Sequence, residues 1–481
     1  MIVEKTREVY EALTAVLPAD RVLTASITLR PYSTDWYWKA QEAVAAGQPL
    51  GTPDLVVEPV STEEVSAILQ IATRLRVPVV PWGAGSGVNG GALAVGGGIV
   101  VDLKRMNAIL RVDDTSLTAT VQPGLICEQL EQHLNAEGLT FPHYPASADL
   151  GSIGGYLSCR GSGVSSTRYG KMEDLVLNVQ VVLPGGEIIQ TLPVPRHSCG
   201  PDLTQLFVGA EGTMGIITEA TLQLAALPAG RSFCAAAFSE IQDGLEAGRH
   251  IMRSGLRPAV MRFYDDVAAR HSLSKAVGPL DGPTMVIVCE GDADVAALEA
   301  QKCLSLCQAH GGQELSAEIS ATWWDKRLVF YKPPHYPTLP AMWGTIDVVT
   351  TYERAWSTYQ AMRAMLTERY GPSGLQLATH FSHWYDWGTM LYCRFTLPTS
   401  PADPSEAIRL HDQIWHDGVT LALDHGAVMN DHHGVGIKLA PYMPRQWGAA
   451  FGTLGAIKGT LDPAGIMNPG KLGLGRNDDQ R

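Results

Sequence analysis

The stretch Pro81-Trp82-Gly83-Ala84-Gly85-Ser86-Gly87-Val88-Asn89-Gly90-Gly91 decides the reading of this chain. It follows Val77-Pro78-Val79-Val80, a short strand pattern. A loop this rich in glycine lets several backbone N–H groups turn inward with no Cβ in the way, which makes an anion nest. A pyrophosphate is its natural guest. The order Gly83-x-Gly85-x-Gly87 is neither the Rossmann fingerprint nor a Walker loop, which needs a lysine. Taken alone, such a loop could equally be a plain turn.

A second loop shifts that balance. Pro145-Ala146-Ser147-Ala148-Asp149-Leu150-Gly151-Ser152-Ile153-Gly154-Gly155 is donor-rich and runs into Ser158-Cys159-Arg160-Gly161-Ser162-Gly163. Small residues at a helix start let a flat ring and a diphosphate approach the backbone. Glu211-Gly212-x-x-Gly215-Ile216-Ile217 adds a third segment.

The surroundings alternate. LVVEPV (55–60), GGIVVDL (97–103) and LTATVQPG (117–124) read as strands. STEEVSAILQIATRLR (61–76) opens with Ser61 and has Glu64 three residues later, a capping box before an amphipathic helix. ICEQLEQHLNAEGL (126–139) is a second such helix. LVLNVQVVLPGGEIIQ (175–190) reads as a hairpin across Pro184-Gly185-Gly186, and MGIITEATLQLAAL (214–227) as a strand pair. The texture changes near residue 230, where short β patterns (MVIVCEG, GTIDVVT, MLYCRFTL) alternate with helices. The expected division is a helical segment over 1–50, a cofactor domain over 51–228, an α+β cap that binds substrate over 229–425, and a C-terminal segment over 426–481 that completes the cofactor and active sites.

Composition sets the outer limits. The 481 residues are 45% hydrophobic and 18% charged, which suits a globular protein of two or three lobes and excludes disorder as the main state. A formal charge of −13 disfavours nucleic acid. The eight cysteines include no CxxC pair, so neither a disulfide framework nor a thiolate metal site is implied. The start reads as an amphipathic helix without a signal peptide, no run is long enough to span a membrane, and NDDQR is no peroxisomal address. The expected compartment is the cytoplasm.

The set PWGAGSGVNGGA, VDLKRMN, VQPG, SIGGYLSCRGSG, RYGKMEDLV, GAEGTMGIITEATL and LDPAGIMNPGKL resembles the vanillyl-alcohol-oxidase flavoproteins, also called PCMH-type. The stretch from LICEQLEQHL to TEATLQL, together with SHWYDWGTMLY and DHHGVG, resembles the alkyl-dihydroxyacetone-phosphate synthase branch. The likeness implies an α+β fold: a two-lobed PCMH-type FAD-binding domain plus an α+β cap. It implies an FAD-linked oxidoreductase with the first loop, Pro81 and Gly83-Ala84-Gly85-Ser86-Gly87-Val88, on the diphosphate. Pro145, Ser147, Gly151, Gly154, Gly155, Ser158, Gly161 and Ile217 would line the rest of the cofactor. Some relatives attach flavin through a histidine in the first loop; this loop has none, so non-covalent FAD is expected.

Flavin chemistry on an alcohol needs a base for the hydroxyl proton and polar groups to hold the substrate. The resemblance places Tyr392, His432 and His433 facing the flavin. If the 430s are extended, neighbours point to opposite faces and only one of the two histidines reaches substrate. Tyr392 and Arg394 share strand parity. Arg394 and Arg262 could grip a carboxylate or phosphate bidentately. The bland alternatives are core histidines, a core tyrosine and surface arginines. Cousins that oxidise D-2-hydroxy acids hold a metal with histidines and a glutamate; His380, His383 and His432 could supply nitrogens, but the pattern lacks their second histidine and has His432 at the glutamate position, so no metal is expected.

Two departures from the synthase branch stand out. Asp431 replaces the first of three histidines, and the Arg327–Tyr336 region, with Tyr331, Lys332, Pro333, Pro334 and His335, lacks a phosphate-binding arginine. The expected activity is therefore oxidation of an organic hydroxyl compound, a hydroxy acid or an aromatic alcohol, with His433 (or His432) and Tyr392 assisting proton removal. The alternative is non-redox flavin-adduct chemistry as in the synthase. Expected partners are a small-molecule substrate and oxygen or another electron acceptor, with a homodimer left open.

Overall fold

The computed structural model describes residues 2–328 and 339–475. Tyr331, Lys332, Pro333, Pro334, His335 and Tyr336 lie outside the described residues, as does NDDQR. The chain forms two compact units: Met1–Ser162 with Lys171–Ala226 and His432–Arg481, and Gly163–Gly170 with Leu227–Asp431.

In the first unit, β1 (Val22–Leu23), β2 (Leu55–Val57), β3 (Val79–Trp82) and β4 (Ile99–Asp102) form a sheet ordered β1-β2-β4-β3. Both β2 and β3 run parallel to β4. A parallel neighbour demands a crossover. From β2 to β3 that crossover is the helix Thr62–Leu75. Ser61 caps it, its Oγ accepting from Glu64 N–H at 3.3 Å. The Glu64 carboxylate reaches Val60 N–H at 2.8 Å rather than Ser61, one residue beyond the usual capping box. Val65, Ile68, Leu69 and Ala72 bury its apolar stripe against Leu55, Val57, Val79, Ile99 and Val101. From β3 to β4 there is no helix; the glycine loop itself makes the return.

A second, antiparallel sheet has the order β5-β6-β10-β8-β9, from β5 (Ile109–Asp113), β6 (Thr118–Val121), β8 (Val176–Val182), β9 (Ile188–Gln190) and β10 (Ile216–Gln223). The β8–β9 hairpin turns where expected, with Leu183 N–H to Glu187 O at 2.8 Å. The expected strand pair over 214–227 does not form. β10 lies between β6 and β8, and the chain then leaves the sheet so that β11 (Ala225–Ala226) pairs with β7 (Leu139–Thr140). Over 219–224 burial alternates, with Ala220, Leu222 and Leu224 buried and Glu219, Thr221 and Gln223 half-buried or exposed, the pattern of one strand and not of two.

The second unit is one antiparallel sheet ordered β15-β12-β14-β13-β17-β18-β16. Its strands are β12 (Gly230–Ala237), β13 (Val260–Tyr264), β14 (Thr284–Gly291), β15 (Gln313–Leu315), β16 (Met342–Thr351), β17 (Gln376–Trp384) and β18 (Gly388–Leu397). Alternation sets its faces: Leu391, Cys393, Phe395 and Leu397 are buried, while Tyr392, Arg394 and Thr396 are half-buried on the other side. Among the described residues, no helix is long and apolar enough to cross a membrane.

Candidate functional site

In the first unit the two glycine loops meet. A Cβ on Gly83 would run into Ser152 Oγ and stand 3.8 Å from Gly155 N. Gly85 has φ +65, and a Cβ there would strike the Trp82 ring. Ser152 caps the short helix Ile153–Cys159, its Oγ accepting from Gly155 N–H at 3.3 Å. Gly154 lies against Pro123 of the VQPG turn and donates its N–H to Pro123 O at 2.8 Å. Tyr156 latches the loop that begins at Pro145, its hydroxyl donating to Ser147 O at 2.8 Å, and a Cβ on Gly151 would collide with that hydroxyl. Ser158 Oγ bonds back to Gly154 O at 2.7 Å. The third segment joins them, with Gly212 (φ +68) packed on Pro81 and Ile217 buried in β10.

Two glycines here test the fit of a dinucleotide: Gly87 answers no demand of the protein's own packing, and Gly155 only a tight approach to Ser152. A Cβ on Gly87 would meet only Asp35 Oδ2, at 3.9 Å, and one on Gly155 only Ser152 Oγ, at 3.2 Å. Both are exposed, and Gly155 sits inside a helix, where glycine is unfavourable by about 1 kcal/mol relative to alanine. Bare backbone on converging loops fits a ligand that must lie on the main chain. Ala84, Ser86 and Val88 are half-buried along the same loop, and Gly161 lies beside Tyr156 and His143.

The histidine pair stands on a turn, not a strand. Gly434 has φ +76 and Gly436 φ +53, and the His432 and His433 rings are 4.1 Å apart. The condition for opposite faces, an extended backbone, is not met here, so strand parity does not apply to the pair. Glu211 holds the turn. Its carboxylate accepts from Val435 N–H and from Gly436 N–H, the latter at 2.9 Å. Burial pushes Glu211 up to about 7, against the pull of those two N–H groups and of Lys471. Lys471 is pushed down to about 8 by burial, and Asp35 up to about 7 by the same cause. The C-terminal motif ties in here, with Asn468 Nδ2 donating to Glu211 O at 2.6 Å and to Gly91 O at 3.0 Å.

In the second unit, register lines up Tyr264, His380, Tyr392 and Asp347 across β13, β17, β18 and β16. The His380 ring stacks on Tyr392 at 4.6 Å and lies 5.6 Å from Tyr264. Arg262 and Arg394 share this face, two residues to either side of the row. Arg262 lies over Trp323 at 5.4 Å, and Arg394 over Trp343 at 5.8 Å. Arg394 Nε is buried with no hydrogen-bond partner among the described residues. Asp431 is buried, binding His383 Nδ1 at 2.8 Å and the Tyr385 hydroxyl at 2.7 Å, while its own N–H reaches Asp347 Oδ2 at 3.3 Å. Asp431, which marked a departure in the sequence, is thus the acceptor for two neighbouring side chains.

Sequence reasoning passed over Asn89, Lys471 and Asp347. The first two lie inside stretches already singled out; an acid in the apolar strand GTIDVVT was the signal for the third.

A family profile for the FAD binding domain matches residues 53–192, and one for the C-terminal domain of FAD linked oxidases matches residues 227–472. The chain belongs to the FAD-linked oxidase family. As a family member it is an enzyme that binds FAD. It is similar to a mitochondrial D-lactate dehydrogenase [cytochrome] of Arabidopsis thaliana, 30% identical over 87% of this chain and 73% of that one. It is also similar to glycolate oxidase subunit GlcD of Bacillus subtilis (29%, covering 87% and 89%) and to alkyldihydroxyacetonephosphate synthase of Trypanosoma brucei brucei (28%, covering 87% and 73%). Among solved structures, an alkyldihydroxyacetonephosphate synthase superposes with TM-score 0.81 at 22% identity over 97% of this chain and 86% of the other. A p-cresol methylhydroxylase with substrate bound gives 0.78 at 18% identity, over 98% and 97%. The fold is the PCMH type in its α+β, two-domain form.

Proposed function

We propose that this FAD-linked oxidase family member oxidises an organic hydroxyl compound, a hydroxy acid or an aromatic alcohol, and that its electrons leave to oxygen or another acceptor. When bound, FAD supplies the hydride acceptor. The chain does the rest. Pro81, the 83–88 loop, Pro145, Ser147, Gly151, Gly154, Gly155, Ser158, Gly161 and Ile217 hold the cofactor without a covalent bond. In the first unit, His433, with His432 against it, takes the hydroxyl proton as the C–H hydride departs and the carbonyl forms. In the second unit, Tyr392 offers a hydroxyl to assist proton removal, and Arg394 and Arg262 offer guanidinium groups to an oxyanion where the substrate carries one.

The observation that carries this reading is Arg394 Nε, buried and unmatched among the described residues on the same sheet face as Tyr392. A buried donor of this kind is unfavourable until an acceptor arrives. Relatives named for D-lactate and glycolate support a hydroxy acid. The test is anaerobic mixing of the FAD-loaded protein with D-lactate, glycolate and vanillyl alcohol. Bleaching of the flavin band by one of them is expected. No bleaching, with substrate consumed while the flavin stays oxidised, would replace this reading with adduct chemistry.

A further inference from the structure

We infer that Asn89 and Glu211 are positioning residues for His433, and that they make the placement of the base depend on the cofactor loop. The inference rests on the proposed role of His433.

The turn that carries His432 and His433 is bent, and one hydrogen bond within it runs from Leu439 N–H to Val435 O at 3.0 Å. Gly434 and Gly436 have positive φ, and no strand ladder runs through the segment. Gly434 O and the N–H groups of residues 435–438 go to two residues from distant parts of the same unit. Asn89 Nδ2 donates to Gly434 O at 2.5 Å, and Asn89 O accepts from Ile437 N–H at 3.0 Å and Lys438 N–H at 3.2 Å. The Glu211 carboxylate accepts from Val435 and Gly436. The fit is close: a Cβ on Gly434 would lie 2.6 Å from Glu211 Oε1, and one on Gly436 would run into Asn89 O. A carboxylate suits this place because it takes both adjacent N–H groups, whereas an amide would turn an NH2 toward one of them. The clamp is also rooted in the cofactor-loop region, since Asn468 bridges Glu211 O and Gly91 O. Asn89 follows Gly87 by two residues, so any shift of the loop as it closes on a diphosphate is passed to Gly434 and from there to His433.

The test uses the full chain, FAD-free and FAD-loaded, with 13C-labelled histidine. The His433 resonance is assigned by its loss in His433→Ala. In the wild type, FAD loading should move this resonance. In Asn89→Asp, which removes the donor to Gly434 O at constant size, FAD should still bind while the His433 resonance no longer responds. An identical response in both proteins would overturn the inference. Glu211→Gln gives a second variant at constant size with the same expectation. For rates, the compound of D-lactate, glycolate and vanillyl alcohol that bleaches the flavin is used. Asn89→Asp should slow bleaching by about tenfold or more at unchanged half-saturation. In the His433→Ala background it should add less than about twofold, because a residue that acts only through His433 has nothing left to place. Multiplying losses would mark ordinary structural damage and overturn the inference. Full-rate bleaching by His433→Ala would instead sink the role of His433 itself, whatever the resonances do.

Discussion

The two units arrange polar groups by opposite means. The first presents backbone: three glycine-bearing segments, each a few residues long, with main chain exposed at Gly87 and Gly155 where no side chain covers it. The second presents side chains: Arg262, Tyr264, Asp347, His380, Tyr392 and Arg394 come from four strands and are assembled by register alone. A bare main chain suits a cofactor shared by a whole family, since any change of side chain leaves it intact. A sheet face built of side chains can be retuned one residue at a time, as a substrate-determining surface requires.

The sharpest way to break the comparison is at the contact between the loops. Gly83→Ala should lower FAD affinity by about a hundredfold or more, since its Cβ must push Ser152 Oγ off its cap on Gly155 N–H at the start of the helix Ile153–Cys159 and fill the gap between the two loops. Gly87→Ala sharpens the point. Its Cβ has room in the protein, so the melting temperature without FAD should stay unchanged while affinity falls by about tenfold. Flavin absorbance after gel filtration reads both. Equal affinity for Gly87→Ala and wild type would mean that this loop does not carry the cofactor.

On the sheet face, Tyr392→Phe should leave FAD bound and slow flavin bleaching by about tenfold to a hundredfold, measured by stopped flow with the compound that bleaches the wild type. Loss of FAD from this variant would erase the division of labour between the units.

Glu211 gives a pH test. Its pKa rises from 4.5 to about 7 in the folded protein, so folding is hindered by its ionisation: stability is fully present below 4.5 and falls as the pH rises through 7. Glu211→Gln removes that dependence. Relative to wild type, the variant should therefore gain on the order of 3 kcal/mol between pH 4 and pH 8, in urea unfolding of the FAD-free protein. A constant difference across that range would show that Glu211 is not held near neutrality by burial. Lys471, Asp35 and Cys159 face the same region and set how sharp the transition is.

The smallest effect belongs to the scaffold. Ser61→Ala should destabilise the first unit by about 1 kcal/mol through loss of the cap to Glu64 N–H, with FAD affinity unchanged.

These contrasts explain what the sequence made legible. The loops at 81–91 and 145–163 could be read because a glycine nest is local: its chemistry is written in consecutive residues. The crossover helix from Ser61 was readable for the same reason, through its cap and its apolar period. The sheet face was only half legible. Parity paired Tyr392 with Arg394 within one strand, but nothing in the sequence sets Asp347 opposite Tyr392 or His380 against its ring, since those neighbours depend on register between strands far apart in the chain. Whether the histidine segment is extended or bent stayed open in the sequence, because the positive φ of Gly434 and Gly436 goes with contacts to Asn89 and Glu211, hundreds of residues away. The split of 214–227 between two sheets escaped notice for a similar reason, as partner choice at β11 is made by β7.

The most direct test is the amount and attachment of flavin on the purified, FAD-reconstituted protein. The account predicts about one FAD per chain, released into the supernatant by acid precipitation, because the grip is a main-chain cradle and not a bond. A colourless polypeptide that cannot be loaded, or a flavin that stays with the precipitate, would contradict it.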